Sequence, residues 1–365
     1  MGYKKLKKVI KRKINFFLNP IKKYTNIEEY RKKANYSFLY KKLRVKKNYI
    51  FYESRDGKSM TDSPYAIFKY LLENDYEKKY IHIWSIDNKK KLRFYKQKYK
   101  KHKNIRFVLR MTNKYFYYLT TSKYLLNNST FPNIFTVKDE QIYVNTWHGT
   151  PLKHMGFDIK DNPFGTSNVL RNFLSADYIL SPNKFTTEIL KNSFKLKDLF
   201  HGKILEDGYP RIDLTVNANK SKIINSLINL NLKLQNKKII LYAPTWKGND
   251  TSKPRNDLEQ IYNDIKVLEF RLGSEYNILT KVHPFLYKEA ESFDLLQDYL
   301  VPDTFETNEL LSVVDILITD YSSIFFDFLI TKKPIIFYMW DYDDYKTNRG
   351  IYIEPDKLPG PICTN

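Results

Sequence analysis

The chain has 365 residues, 42% of them hydrophobic, which is enough for two domains with sizeable cores and excludes global disorder. Its one cysteine, Cys363, excludes an intramolecular disulfide and a multi-cysteine metal site, and it fits a reducing compartment. The formal charge is +22, but residues 1–50 hold 17 Lys/Arg against 2 Asp/Glu, a balance of +15 that leaves only +7 for the rest, so the basicity belongs to a leading segment.

In that segment Leu6, Val9, Ile10, Ile14, Phe17 and Leu18 recur at helical spacing, with lysines and Arg12 between them. Asn19-Pro20 is expected to end this helix. A basic amphipathic helix suits the headgroup region of an anionic leaflet; the plainer alternative is a packing helix with a solvated basic face. No apolar run approaches the roughly 18–20 residues of a spanning helix, and no small-residue cleavage site follows. Residues 1–48 are therefore expected to be a membrane-associating arm on a protein at the cytoplasmic face of the membrane. A second basic stretch, Lys89 to Lys103, reads as a solvated helix face.

From Tyr49 onward short β-rich runs alternate with helical ones. Strands are expected at Tyr49–Glu53, Tyr80–Ile86, Ile105–Leu109, Lys123–Leu126 and Gln141–Thr146, and a helix start at Ser63-Pro64 with Ser as cap. Strands resume at Lys238–Tyr242, Tyr276–Leu279, Asp315–Thr319 and Pro334–Tyr338, with helices at Asp257–Arg271 and Ser323–Ile330. The alternation predicts an α/β protein of two doubly wound Rossmann-type domains. We divide it at 49–206 and 207–365, after the arm.

In open α/β sheets, ligands bind outside the carboxyl ends of strands. One strand runs into Trp147, His148, Gly149, Thr150 and Pro151. A histidine there can accept a proton near neutral pH, and Gly149 allows close backbone approach; the alternative is a histidine that merely caps a strand end. Arg211, in the turn before Asp213, suits bidentate phosphate contact, although most arginines in turns are solvated. A strand ending at Pro244 is followed by Thr245, Trp246 and Lys247. After another come Lys281, Val282, His283 and Pro284, and at least one of Lys281 and His283 should face a cleft between the domains. Ser322-Ser323 opens a helix whose free N–H groups and hydroxyls suit a phosphate, with Asp327 one turn on; simple capping is the alternative.

Each motif is weak alone, but their ordered combination resembles the CDP-glycerol glycerophosphotransferase family of teichoic acid synthesis. The matching elements are Asn145–Lys153 (NTWHGTPLK), Gly208–Arg211 with Asp213, Tyr242–Trp246 (YAPTW), Val282–Pro284, and Thr319–Ser323 (TDYSS) with Asp327. Glu53, Gly57-Lys58-Ser59 and Asn127-Asn128 also resemble its N-terminal half. The resemblance implies a GT-B-like pair of domains, an acceptor-side N-terminal domain and a CDP-donor-binding C-terminal one. It implies donor contacts at Trp147, Gly149, Thr150, Pro151, Arg211, Pro244, Thr245, Lys281, Val282, Ser322, Ser323 and Asp327, with His148 and His283 catalytic. Family members carry Arg after the YAPTW-like segment; Lys247 stands there instead, which puts a bidentate contact in doubt. They also continue past Leu358–Pro361 into a final helix, and known polymerases carry a larger N-terminal extension. By that measure a C-terminally shortened chain and a single- or few-addition enzyme are expected.

The expected reaction is in-line attack by an acceptor hydroxyl on the glycerol-bearing phosphorus of CDP-glycerol, with CMP leaving. The acceptor is expected to be lipid-linked and membrane-held. No acidic cluster suited to Mg²⁺ between phosphates is evident, so neither cofactor nor metal is expected. The rivals are a CDP-ribitol enzyme, a GT-B nucleotide-sugar glycosyltransferase and, more distantly, a nucleic-acid-binding protein suggested by +22 with 30 Tyr and 24 Phe. The last is disfavoured because the basicity sits mostly in one arm.

Overall fold

The computed structural model describes all residues except 1, 2, 76, 160–162, 231, 233, 246–257, 284, 285 and 365. The first sheet contains β1 (Lys46–Glu53), β2 (Ile81–Ile86), β3 (Ile105–Leu109), β4 (Ser122–Asn127), β5 (Ile142–Asn145), β6 (Tyr178–Leu180) and β7 (Lys203–Leu205). Its order is β3-β2-β1-β4-β5-β6-β7, and every pairing is parallel. The second contains β8 (Lys238–Ala243), β9 (Tyr276–Thr280), β10 (Ile316–Thr319), β11 (Ile335–Tyr338) and β12 (Ile362–Cys363), ordered β12-β11-β10-β8-β9 and again parallel. All nine expected strands are present. The chain passes from one sheet to the other between Leu205 and Lys238.

Side-chain alternation along the strands explains why each sheet is covered on both faces. In β1, Tyr49 and Phe51 enter one core while Ile50 and Tyr52 enter the core on the opposite face. In β8, Ile239 and Leu241 likewise oppose Ile240 and Tyr242. At the carboxyl ends of β1, β4 and β5 the register aligns Glu53, Asn127 and Asn145, all fully buried. Buried polar side chains require partners, and this row supplies the bonds that shape the loops above it.

Three local expectations are corrected. The leading helix runs Tyr3–Asn26 straight through Pro20. A proline there frees the carbonyl of Phe16, but the helix is solvent-exposed, so water satisfies that group. The helix expected to be capped by Ser63 starts two residues earlier than that cap implies, at Asp62 after Thr61, and the Asp62 carboxylate accepts the Ser63 N–H at 2.5 Å. The segment expected as the helix Ser323–Ile330 forms a five-residue helix, Ile324–Phe328, continued by a 3₁₀ turn, Leu329–Thr331. A helix over Glu28–Lys42 packs on the first domain through buried Tyr36, whose hydroxyl donates to the Thr136 carbonyl at 2.9 Å.

Candidate active site

The loops at the carboxyl ends of the two sheets meet at Arg211. Its Nη1 donates to both oxygens of Asp62, each at 3.1 Å, its Nη2 to Asp327 at 3.0 Å, and its Nε lies 2.9 Å from Asp327 Oδ2. Asp62 comes from the loop after β1 and Asp327 from the short helix after β10, so one guanidinium clamps both domains. Arg211 is 4% exposed. Burial pushes the Asp62 carboxyl up, but Arg211, the Ser63 N–H, the Asn128 amide and His148 together outweigh it and hold Asp62 below the usual aspartate value. For Asp327 burial prevails over the same arginine and its pKa is raised. The Asp62 N–H also crosses to Glu306 Oε2 at 2.7 Å. Burial raises that carboxyl to about 7.

His148 stands beside this clamp. Its Nδ1 lies 2.7 Å from the Asn128 carbonyl, and its ring centroid is 4.0 Å from that of Trp147. The ring is open to solvent, yet it sits deep among protein atoms. That crowding lowers its pKa below the ordinary histidine value, against the opposing pull of the Asn128 bond and the Asp62 charge. A carbonyl can only accept, so in the neutral ring the proton resides on Nδ1 and the Nε2 lone pair is left to accept another. Trp147 is fixed from below: its backbone N–H donates to Asn145 Oδ1 at 2.9 Å and its ring packs on Phe173. Its φ of 49° is a strained value for a bulky side chain.

At Gly149 the backbone of one domain comes close to a side chain of the other. A Cβ built there would stand 2.9 Å from Ser323 Oγ and 3.6 Å from Arg211 Nη2. Only glycine lets the β5 loop approach the start of the helix after β10 this closely. Ser322 Oγ accepts the Ile324 N–H at 3.3 Å, whereas Ser323, at the cap position itself, makes no side-chain capping bond.

His283 is half-buried on the opposite wall. Burial depresses its pKa well below the ordinary value, and Lys153, Arg55, Lys58 and His148 depress it further. The two histidines therefore sense each other across the domains. Lys281 Nζ donates to the carbonyls of Pro302 at 2.9 Å and Phe305 at 3.0 Å, and burial pushes its pKa down to about 8. Val282 points into the core of the second domain. Thr245 is turned toward Asp320, which accepts its N–H at 2.9 and 3.1 Å and its hydroxyl at 2.9 Å. Thr150, Pro151 and Pro244 are buried in the same loops. Trp246, Lys247 and Pro284 lie outside the described residues. Sequence reasoning missed Asp62, Arg55 and Glu306; the available hint was Asp56-Gly57, a turn signal right after a strand.

Residues 35–365 match the family model described as CDP-glycerol:poly(glycerophosphate) glycerophosphotransferase. A teichoic acid poly(glycerol phosphate) polymerase of Bacillus spizizenii is 36% identical over 86% of this chain and 79% of its own length. A teichoic acid glycerol-phosphate transferase of Staphylococcus aureus is 34% identical over 87% of this chain and 81% of its own. The chain spans about half the length of other, longer polymerases that it matches. Among solved structures, a variant of the wall teichoic acid polymerase TagF soaked with CDPG superposes with a TM-score of 0.78 at 30% identity, over 96% of this chain and 85% of that one.

Proposed function

The chain belongs to the CDP-glycerol:poly(glycerophosphate) glycerophosphotransferase family, and from that premise we propose that it transfers glycerol phosphate from CDP-glycerol to a hydroxyl of a lipid-linked acceptor in teichoic acid or related polymer synthesis. The observation that carries this reading is His148. Its Nδ1 is committed to the Asn128 carbonyl, which leaves Nε2 as an unprotonated acceptor beside the seam where Gly149 meets Ser323. The acceptor oxygen bonds to the glycerol-bearing phosphorus, the bond from that phosphorus to the bridging oxygen breaks, and CMP departs with both electrons. His148 Nε2 takes the hydroxyl proton. His283 and the Ser322-Ser323 hydroxyls and N–H groups stand on the leaving-group side. The five-residue helix behind them contributes little dipole, so the local donors carry that role.

In this reading Arg211 acts mainly as the clamp that holds the walls in register, because its guanidinium is engaged by two carboxylates. The N-terminal domain is the acceptor side and the C-terminal domain the donor side. The helix Tyr3–Asn26 exposes Val9, Ile10, Ile14, Phe17, Leu18 and Ile21, which supports docking on an anionic membrane. Among the described residues no helix is long and apolar enough to cross a membrane. Length does not separate polymerase from single-addition enzyme, since the chain spans similar shares of a relative named polymerase and one named transferase.

One experiment tests donor, acceptor and arm together. The chain is incubated with CDP-glycerol and a lipid-linked disaccharide in anionic or in neutral vesicles, and the lipid product is weighed by mass spectrometry. A gain of one or more glycerol phosphate units, faster on anionic vesicles, is expected. No mass gain with CDP-glycerol sinks the donor assignment, and equal rates on both vesicles sink the membrane role.

A further inference from the structure

The carbonyl that orients His148 is itself held by a chain of bonds that crosses the cleft. β4 ends at Asn127, and Asn128 follows it; both are fully buried. Buried amides need partners for their donors and acceptors alike. Asn127 works within the first domain. Its carbonyl accepts the Thr146 N–H at 2.8 Å, and its Oδ1 accepts the Ser129 N–H. The second bond sets the tilt of the peptide group whose carbonyl, that of Asn128, reaches His148 Nδ1 at 2.7 Å. The Asn128 side chain ties the same residue to the loop after β1. Its Oδ1 accepts the Arg55 N–H at 2.9 Å, and its Nδ2 donates to Asp62 Oδ2 at 2.8 Å. This amide cannot be turned over, because a backbone N–H only donates and a carboxylate only accepts.

Asp62 in turn depends on the second domain. Its φ of 68° is a left-handed value that a residue with a side chain keeps only where its surroundings hold it. Glu306 holds it by accepting its N–H at 2.7 Å, and Arg211 holds it by bonding both carboxylate oxygens while its Nη2 donates to Asp327. Asp62 Oδ2 is therefore shared between Arg211 and Asn128. The links run without a gap from Asp327 to Arg211, from Arg211 to Asp62, from Asp62 to Asn128, and from the Asn128 carbonyl to the ring of the base. The last link decides the chemistry. In a neutral imidazole one nitrogen donates and the other accepts, and the bond made by one sets the role of the other. With the carbonyl in place the proton sits on Nδ1 and Nε2 accepts. With the carbonyl displaced the proton is free to settle on Nε2, which then has no lone pair for a hydroxyl proton.

We propose that Asn128 is the positioning residue of the base: its side chain ties the carbonyl that selects the His148 tautomer to the carboxylate that Arg211 clamps, so that closure of the two domains readies the base. The inference rests on the glycerophosphotransfer reading and adds how its base is held ready. Asn128 acts through His148 and needs no contact with either substrate. Asn127 fixes the same peptide group from within the first domain, so the dependence on closure enters through the Asn128 amide. When the second domain withdraws, Asp62 loses Glu306 and is free to leave its strained conformation, and the acceptor for Asn128 Nδ2 leaves with it.

The test reads the proton on the ring itself, independently of turnover. The full chain is labelled with ¹⁵N at its six histidines, and the His148 signals are assigned by their loss in His148→Ala. At pH 8, above the depressed pKa of His148, the ring is neutral and its two nitrogens report which one carries the proton. The unaltered chain should show it on Nδ1. Asn128→Leu keeps the volume of the side chain and removes both polar ends; the Nε2–H form should appear. It should appear in Asp62→Ala too, although that change lies one link further from the ring. Asp62→Asn, which keeps an oxygen able to accept from Asn128, should retain more of the Nδ1–H form than Asp62→Ala. In Asn128→Leu kcat should fall by about 10²-fold, the cost of a group misplaced by an ångström, with the KM for CDP-glycerol little changed. The other histidine signals report whether each variant is folded. Should Asn128→Leu not fold, Asn128→Ser, too short to reach Asp62, carries the same expectation. A ring still protonated on Nδ1 alone in the Asn128 variant overturns the proposal. So does a change in that variant with none in Asp62→Ala, which would cut the link to the clamp. A loss of turnover carried by KM overturns it as well, by making Asn128 a donor contact. A chain whose tautomer follows Asn128 and Asp62 but which never turns over CDP-glycerol would refute the functional reading and leave the linkage standing.

Discussion

The two walls of the cleft are built by different means. On the N-terminal wall Arg55, Asp56, Asp62, Met111 and Trp147, all in loops after strands of the first sheet, take left-handed backbone with φ between 49° and 68°. Among the described residues of the second domain the one non-glycine with such a φ is Lys332, which precedes the amino end of β11, away from the carboxyl-end loops. The C-terminal wall is fastened instead by relaxed hydrogen bonds: Thr245 to Asp320, Lys281 to two carbonyls, and the Thr319 hydroxyl to the Ala243 carbonyl at 2.7 Å. Strain at several adjacent positions persists only where the surroundings over-determine it. The buried row of Glu53, Asn127 and Asn145 and the Arg110 ion pairs supply that determination. The difference teaches that the first wall fixes chemical groups at set points, while the second provides an anchored floor.

The strongest way to break this comparison is to remove the group the strained wall presents. His148→Ala should lower turnover by about 10²–10⁴-fold, the usual contribution of a general base, with CDP-glycerol binding much less affected. Near-normal turnover would take the ring out of the base role. The pH profile carries a sign as well. A base must be unprotonated, and crowding holds the His148 pKa below its ordinary 6.5. The neutral form therefore dominates at pH 7 and is lost only as pH falls through the depressed value. The acid limb of kcat/KM should lie below pH 6.5, and a limb at or above it would contradict the assignment.

The seam between the walls should respond less. Gly149→Ala places a methyl 2.9 Å from Ser323 Oγ and 3.4 Å from Ser323 Cβ. Overpacking of this kind costs about 1–3 kcal/mol. Denaturant unfolding should report that loss, and adding Ser323→Gly should return most of it by removing the opposing side chain. A harmless Gly149→Ala, or a double variant no more stable than the single one, would mean the walls do not meet tightly at this point.

The asymmetry also explains what was legible in the sequence. β1 and β8 announce themselves by four and five apolar or aromatic residues in a row, whereas β6, β7 and β12 have three, three and two residues, too few to register a period. His148, Gly149 and Ser323 were found because motif spacing marks them. Arg55 and Asp62 were not, because what sets them apart is a positive φ and, for Asp62, a charge shared across the domains, and neither is written in residue type. Pro20 misled because a helix-breaking signal presumes a helix that needs every internal hydrogen bond, and an exposed helix does not. Arg211 was expected to meet phosphate; two carboxylates 265 residues apart in the chain, Asp62 and Asp327, are brought to it only by the fold.

The smallest effect should come from the relaxed wall. Thr245→Val keeps the shape of the side chain and removes only the hydroxyl bond to Asp320, at 2.9 Å. Asp320 still accepts the Thr245 N–H on both oxygens, so the loss is one charge-assisted bond with the carboxylate otherwise held. That is worth about 1.5 kcal/mol in unfolding free energy, the lower end for a bond to a charged group. If the C-terminal wall is an anchored floor, this cost should appear in stability with a minor change in turnover. A Thr245→Val chain of undiminished stability whose turnover falls as far as that of His148→Ala would show the hydroxyl acting on the donor itself, and the division of labour between the walls would fail.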